Sequence, residues 1–358
     1  VLTFKRKLIL TKAQERRINS WVGVCRFVYN LCKEIQQEAC KNKGTYIHKY
    51  ELMKQLTEIR NVDWIGDVPR DGIEDAIKRM DNSYKAFFKG GGFPKWASKK
   101  RFNSIRFKQV ISVEDRFVQV PKLGKLKMVK DRPVVGKIKQ ITIKRQVDGY
   151  YACIATDAVK SIQCHDENQV LALDMGLKHF AVDSNGNYIT NPRHFKTHER
   201  RLRIENRSLA RKKKGGKNWR KQAHRLARLH NKIANVRRDF LHKESTRIAK
   251  ANYIVILEDL NISGMAKNGN LSKHILDCGW GMFRGMLNYK TIVIVINPKY
   301  TSQTCNSCGV RDAKSRISQS EFVCTACGKA DNADKNAANN ILSKGFAFIC
   351  QREAIACA

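Results

Sequence analysis

Apolar residues alternate with charged ones at the start of the chain. Leu2, Phe4, Leu8 and Leu10 fall on one side, the period of a half-buried strand. Thr11 with Gln14 three positions later has the spacing of a capping box, which predicts a long helix opening there. Its apolar stripe runs Ile18, Trp21, Val22, Cys25, Val28, Cys32, Ile35. A second amphipathic helix carries Ile73, Ile77, Met80, Tyr84 and Phe87 and ends at the three glycines 90–92. Over residues 101–157 the period becomes two. The runs 141–147 and 150–155, separated by Asp148-Gly149, predict a hairpin. The first half therefore reads as a β-barrel or sheet carrying a helical insertion.

From residue 170 the pattern changes. Residues 170–173 and 180–182 are short apolar runs on either side of a tight turn, as in two adjacent strands. Residues 253–257 and 292–296 are continuously apolar, as expected for strands covered on both faces. Helical patterns lie between them, so this half reads as an α/β domain. Residues 196–250 hold 20 Lys or Arg against 4 acids and break at Gly215-Gly216. Trp219, Leu226, Ile233, Val236 and Phe240 mark one face of the second segment, predicting a helical hairpin with a basic exterior. Basic helix faces are commonly plain solvated surface, but so strong a bias favours tracking of phosphates.

Charge extends that reading to the whole chain. Its 358 residues, enough for two or three domains, carry 69 Lys or Arg against 32 Asp or Glu, a formal charge of +37. No compact fold needs such an excess, which costs self-repulsion, whereas a polyanion exchanging its counterions accounts for it. No apolar run approaches the ~20 residues that span a bilayer, so no membrane partner is expected. Four of the twelve cysteines are paired in a motif; Cys25, Cys32, Cys40, Cys153, Cys164, Cys278, Cys350 and Cys357 are scattered. No signal peptide is visible, and the scattered thiols read as core residues of a reducing, cytoplasmic compartment in a bacterium or archaeon.

Cys305, Cys308, Cys324 and Cys327 form two CxxC knuckles, the pattern of a tetrahedral Zn2+ site. A redox CxxC is the alternative for either pair alone, but two pairs at this spacing favour zinc. With all four ligands from protein, the zinc is structural. Asp174 stands inside an apolar strand, where a carboxylate is costly unless paired or metal-bound. Gly176 beside it would let backbone approach a phosphate, or simply make a turn. Glu258 ends a second buried strand, though acids at strand ends are common. Asp334 stands at a predicted helix start, where N-capping is the ordinary explanation. Together the three carboxylates offer hard oxygen ligands for two Mg2+ ions flanking a scissile phosphate. Their convergence is an expectation from element order.

These residues resemble the TnpB family, the RNA-guided endonucleases of insertion sequences, related to single-effector type V CRISPR nucleases. The matching segments are Leu173-Asp174-Met175-Gly176-Leu177-Lys178, Asp239 to Lys243, Leu257-Glu258-Asp259-Leu260, Gly279-Trp280, Tyr300 to Gly309 and Asn336-Ala337-Ala338. Gly92 to Lys95 and Ile105 to Phe107 resemble the family's N-terminal half. The resemblance implies an RNase H-like (RuvC-type) α/β nuclease domain over 166–300 and 331–358, with acids Asp174, Glu258 and Asp334. It implies a zinc ribbon inserted at 301–330 and a wedge-like β-barrel over 1–10 and 101–165. The helical recognition insertion would occupy 11–100. An arginine of the ribbon assists catalysis in related nucleases, and Arg316 is its nearest match.

The implied partners are a guide RNA from the transposon end and double-stranded target DNA beside a short adjacent motif, with base pairing reading the sequence. The 196–250 hairpin and the basic N-terminal half would grip the backbones. Trp96, Phe102 and Phe107 would stack on bases or sit in the core. Relatives often have Arg where this chain has Ala333. They also place about half a dozen more residues between Lys290 and Thr291, an ordinary loop length. The direct passage from helix to strand, and a first residue that is Val rather than Met, are read as residues left out of the sequence. The competing readings are a transposase performing strand transfer, a miniature type V CRISPR effector, and a non-cleaving RNA-guided DNA binder.

Overall fold

A computed structural model describes residues 2–108, 112–158, 169–267, 269 and 271–356. The scattered Cys164 and Cys357 lie outside the described residues. The chain divides into two compact units, Val1–Val159 and Lys160–Ala358.

In the first unit, β1 (Leu2–Ile9) leads into α1 (Lys12–Lys43) through the expected capping box. Thr11 Oγ1 accepts from the Gln14 N–H at 3.2 Å, and Gln14 Oε1 accepts from the Thr11 N–H at 3.1 Å. α2 (Lys49–Gln55), the single turn α3 (Asp63–Gly66) and α4 (Arg70–Phe88) follow. The stripes of α1 and α4 bury Trp21, Cys25, Cys32, Ile73, Ile77 and Met80 in one core. Phe87 lies off that stripe and packs edge-on against Phe93 at the helix end. Then come β2 (Ser104–Phe107), β3 (Ser112–Val113), β4 (Phe117–Val120), β5 (Gly124–Met128), β6 (Ile138–Gln146) and β7 (Gly149–Thr156).

All seven strands form one antiparallel sheet in the order β2-β6-β7-β1-β5-β4-β3. The β6–β7 hairpin turns at Asp148-Gly149 as expected, with Gly149 at φ 133°, a backbone angle that suits glycine. The barrel expected here is, among the described residues, an open sheet. No ladder joins β2 to β3, whose four and two residues are too few to close the cylinder.

The second unit begins with β8 (Val170–Met175), β9 (His179–Asp183) and β10 (Tyr188–Thr190), continued by α5 (His194–Ala210) and α6 (Lys217–Ala251). β11 (Ile254–Glu258) precedes α7 (Ile262–Met265), α8 (Ser272–Cys278), α9 (Trp280–Asn288) and β12 (Ile292–Ile296). A small ribbon with β13 (Glu321–Val323) and β14 (Ala330–Asn332) leads into α10 (Ala333–Ala356). The sheet order is β10-β9-β8-β11-β12; β8, β11 and β12 run parallel, and β9 and β10 are antiparallel additions. One face packs on α6 and α9 through Leu171, Leu173, Val255, Leu257 and Phe283. On the other, Ala172, Ile256 and Ile296 pack on Ile341 of α10.

The α5–α6 hairpin forms around Gly215-Gly216, but its buried stripe differs from the expected one. Leu229, Ile233, Leu241 and Ile248 are buried, together with Gln222 and Ser245, while Val236 is exposed and Trp219 half-exposed. The stripe's phase follows partners: Gln222 donates to Glu205 of α5, and Ser245 accepts from Lys290. The passage from α9 to β12 also differs from expectation. Lys290 and Thr291 both donate backbone N–H groups to the Leu287 carbonyl, and none of residues 289–291 has a positive φ. The Lys290 ammonium bonds the His242 carbonyl, Ser245 and Thr246, so the direct connection is satisfied without strain. Of the scattered thiols, Cys25, Cys32 and Cys278 are buried, but Cys40 and Cys350 are exposed, at the ends of helices where little packs over them.

Candidate active site and metal centre

The parallel pairing of β8 with β11 sets Leu173 opposite Leu257, so the next residues, Asp174 and Glu258, stand side by side at the carboxyl ends of neighbouring strands. Alternation sends both to the face that carries Ala172 and Ile256, beneath α10. On α10, Asp334 shares a helix face with Ala338, Ile341 and Gly345, spaced four, three and four apart. That face lies against the sheet so closely that a Cβ on Gly345 would collide with Ile256 Cδ1. The three carboxylates come from residues 84 and 76 positions apart (258 − 174 and 334 − 258).

Burial pushes the Asp174 carboxyl up to about 7, with the Glu258 and Asp334 charges adding to the rise and Arg316 opposing it. Burial raises Glu258 as well, opposed by a 2.6 Å hydrogen bond from the Thr301 hydroxyl to Oε1 and by the charge of Lys344. Asp334 does not cap α10. Asn332 does so, its Oδ1 accepting from the N–H groups of Asp334 and Lys335 at 3.0 and 3.2 Å. The Asp334 carboxylate is thereby left for other partners, and Arg316 Nη2 lies 3.5 Å from it. Gly176 serves the β8–β9 turn instead of a ligand: its N–H reaches the Phe180 carbonyl, and a Cβ would meet the His179 carbonyl at 3.0 Å.

In the ribbon the ligand sulfurs of all four cysteines lie within 4.8 Å of one another. Cys305 and Cys327 are 3.8 Å apart, Cys308 and Cys324 3.5 Å. The two knuckles repeat one geometry. Cys305 and Cys324 each donate their N–H five residues on, to the carbonyls of Val310 and Lys329. Gly309 and Gly328 follow the second cysteines at φ 75° and 70° and return to Cys305 and Cys324. Backbone N–H groups of Cys327 and Ala326 hold the Cys324 thiol down at about 6, favouring the thiolate. Four convergent sulfurs fit one tetrahedral Zn2+.

Several residues of the site lie in or beside the matching segments, but sequence reasoning assigns them no role. Asn336 and Asn340 fasten α10 to the ribbon, donating to the Thr304 and Thr301 carbonyls, while Asn336 Oδ1 accepts from the Asn306 N–H. Tyr300, at φ 66°, precedes Thr301, and Arg311 stacks on its ring. Of the aromatics considered for stacking, Phe107 is turned into the first unit's core by β2, and Phe102, just before that strand, is buried against Tyr29; Trp96 remains 50% exposed.

The chain matches three family descriptions. "Probable transposase" (OrfB_IS605) covers residues 153–269, "Cas12f1-like, TNB domain" residues 280–341, and "Helix-turn-helix domain" (HTH_OrfB_IS605) residues 2–45. Asp174 and Glu258 fall in the first match; the four cysteines, Arg316 and Asp334 fall in the second. Residues 2–45 here fold as β1 and the single helix α1. "Putative RNA-guided DNA endonuclease InsQ" of Escherichia coli (strain K12) is 32% identical over 378 residues, covering 98% of this chain and 94% of that one. "CRISPR-associated endodeoxyribonuclease Cas12f1" of Sulfoacidibacillus thermotolerans is 30% identical over 248 residues, covering 61% and 56%. The fold matches Cas12f1 in a cryo-EM structure of its complex with sgRNA and target DNA, at TM-score 0.59 and 14% identity over 93% of this chain and 83% of that one.

Proposed function

The chain belongs to the TnpB (OrfB_IS605) family, and from that premise we propose that it is an RNA-guided, Mg2+-dependent DNA endonuclease encoded by a transposon. The target would be double-stranded DNA cut beside a short adjacent motif, addressed by a guide RNA from the transposon end. The observation that supports this most is the meeting of Asp174, Glu258 and Asp334 within electrostatic reach, with Arg316 as the cation among them.

The three carboxylates are hard oxygen donors suited to Mg2+, and a cation would relieve Asp174, which burial raises first and the Glu258 and Asp334 charges raise further. Bound there, Mg2+ would supply a polarised water and a counter-charge for the leaving oxygen. The chain's own groups do the rest. β8 and β11 hold Asp174 and Glu258 on neighbouring strand ends, and Thr301 steadies Glu258 by bonding Oε1. The Arg316 guanidinium stands where it neutralises charge on a phosphate oxygen as well as on Asp334. Cys305, Cys308, Cys324 and Cys327 would hold a structural Zn2+, which would fix the loop that presents Arg316. The basic α5–α6 hairpin offers a surface for phosphates. All three acids are present, which favours cutting over binding alone.

The test is to purify the protein with the RNA it carries, sequence that RNA, and use it to direct cleavage of a matching duplex. Asp174→Ala should abolish cutting and leave target binding intact. Cutting that persists in this variant, or a protein that carries no defined RNA, overturns the proposal.

A further inference from the structure

Away from the carboxylates, the first unit carries a cleft of about 260 Å³ between α1, residues 99–103 and the β6–β7 hairpin. Three cations line it, Arg26, Lys99 and Arg145, and no carboxylate does. Among the described residues none of the three forms an ion pair, although seven acids of this unit do so with other cations. Cations gathered without a counter-charge repel one another, so the cleft is set up for an anion. Its floor is apolar: Ile18 and Phe102 are buried there and Val22 is half-buried. Asn19 adds a fixed polar edge, since its Oδ1 accepts from the Tyr150 hydroxyl at 2.9 Å and from Arg145 at 3.5 Å, which leaves its amide hydrogens for a ligand.

Gly23 makes the second, independent observation. It lies in the middle of α1, where glycine costs about 1 kcal/mol relative to alanine. Helix packing does not require it, because a Cβ built on Gly23 meets nothing within 4 Å. What its absent side chain does is keep the cleft open. The space equals that of roughly nine waters at ~30 Å³ each, the size of one planar ring system with its phosphate outside.

We infer that this cleft binds a single nucleotide of a polynucleotide strand, its phosphate on Arg26, Lys99 and Arg145 and its base over Ile18, Val22 and Phe102. The inference rests on the reading that nucleic acid is the partner, not on the nuclease centre. One nucleotide chemistry fits either the guide RNA or the target DNA.

The experiment uses the full-length protein freed of bound nucleic acid and two labelled 12-nucleotide probes, one of RNA and one of single-stranded DNA. Gly23→Leu should fill the cleft and raise the thermal midpoint, because leucine is the better helix former, while weakening probe binding at least tenfold. Arg26→Gln and Arg145→Gln should weaken binding and each lower the salt slope by about 0.7, the value for one lost single-strand phosphate contact. Lys54→Ala, an exposed lysine outside the cleft, serves as the control. Loss confined to RNA assigns the cleft to the guide, and loss confined to DNA assigns it to the target. A folded Gly23→Leu protein that binds both probes like wild type overturns the inference. If that variant does not fold, unchanged binding by both arginine variants does so. Guided cleavage by the wild type is scored separately, so a protein that binds through the cleft yet never cuts sinks the nuclease proposal and spares this one.

Discussion

Arg316 of the zinc ribbon lies 3.5 Å from Asp334 in the first turn of α10, so a loop held by four thiolates delivers a cation to the last of three carboxylates. Its other listener is Asp174, whose rise in pKa Arg316 opposes. Replacing Arg316 with Ala should lower guided cleavage on the order of a hundredfold, the scale of losing one preorganised donor at a charged transition state. Arg316→Lys should recover part of the rate, because a point charge replaces the fork. Single-turnover rates with saturating target measure this; equal rates in all three proteins would remove Arg316 from the site.

Stripping the zinc should act on the same centre from a distance. The ribbon is fastened to α10 by Asn336 and Asn340, so unfolding it frees both Arg316 and the start of the helix that carries Asp334. A chromophoric chelator should withdraw one Zn2+ per chain, and cleavage should fall with it and return on adding Zn2+ back. Cys324→Ser should reproduce the loss, whereas full activity with no zinc bound would mean the ribbon is dispensable.

Gly345 gives a stability prediction whose sign opposes helix propensity. An exposed helical Gly→Ala change gains about 1 kcal/mol. Here the new Cβ would collide with Ile256 Cδ1 and sit 2.8 Å from its Cγ atoms, so Gly345→Ala should instead lose about 1–3 kcal/mol by overpacking. Chemical denaturation measures the change, and Ile256→Val in the same chain should restore part of it. A stabilised Gly345→Ala protein would show that α10 does not press on the sheet.

Asp67 sets a limb of the pH dependence. Its carboxylate accepts from Arg17 at 2.6 Å and from the buried Trp21 indole at 2.6 Å, and these bonds, the Arg17 one foremost, hold its pKa below the usual carboxylate range. A depressed folded pKa means stability fully present above the unfolded value of ~3.9 and lost as pH falls through the lower folded one. The group is 44% exposed, so solvent screening keeps the effect to about 1 kcal/mol. Urea titrations at pH 6 and pH 3 should show Asp67→Asn less stable at pH 6 and closer to wild type at pH 3. A constant difference at both would rule out the linkage.

What could be read from the sequence was whatever a short window specifies. Thr11 and Gln14 close their own ring, Asp148-Gly149 turns its own hairpin, and the cysteine spacing encodes two knuckles. Asp174 was visible as an acid in an unexpected place, a carboxylate inside an apolar strand, whereas Glu258 and Asp334 stood where acids are common. Hidden were facts that depend on a distant partner. The stripe of α6 is phased by Glu205 and Lys290, so its buried Gln222 and Ser245 look like surface residues in isolation. The Thr301 bond to Glu258 joins the end of β11 to the segment after β12, which only the β11–β12 pairing brings together. The role of Gly345 appears only when Ile256 stands opposite it, and the direct Lys290–Thr291 connection looks strained until the Leu287 carbonyl receives both amides.

Asp334 enters the chain long after Asp174 and Glu258, and it reaches them only when α10 lies down on the sheet. Were the three acids to cut as proposed, this order would act as a safety during synthesis. A nascent chain would display its basic surfaces and two of its acids well before the third exists, and would meet nucleic acid while still harmless. The ability to cut would be conferred last, by docking of the terminal helix, and any product broken off upstream of that helix would leave the cell a binder without a blade.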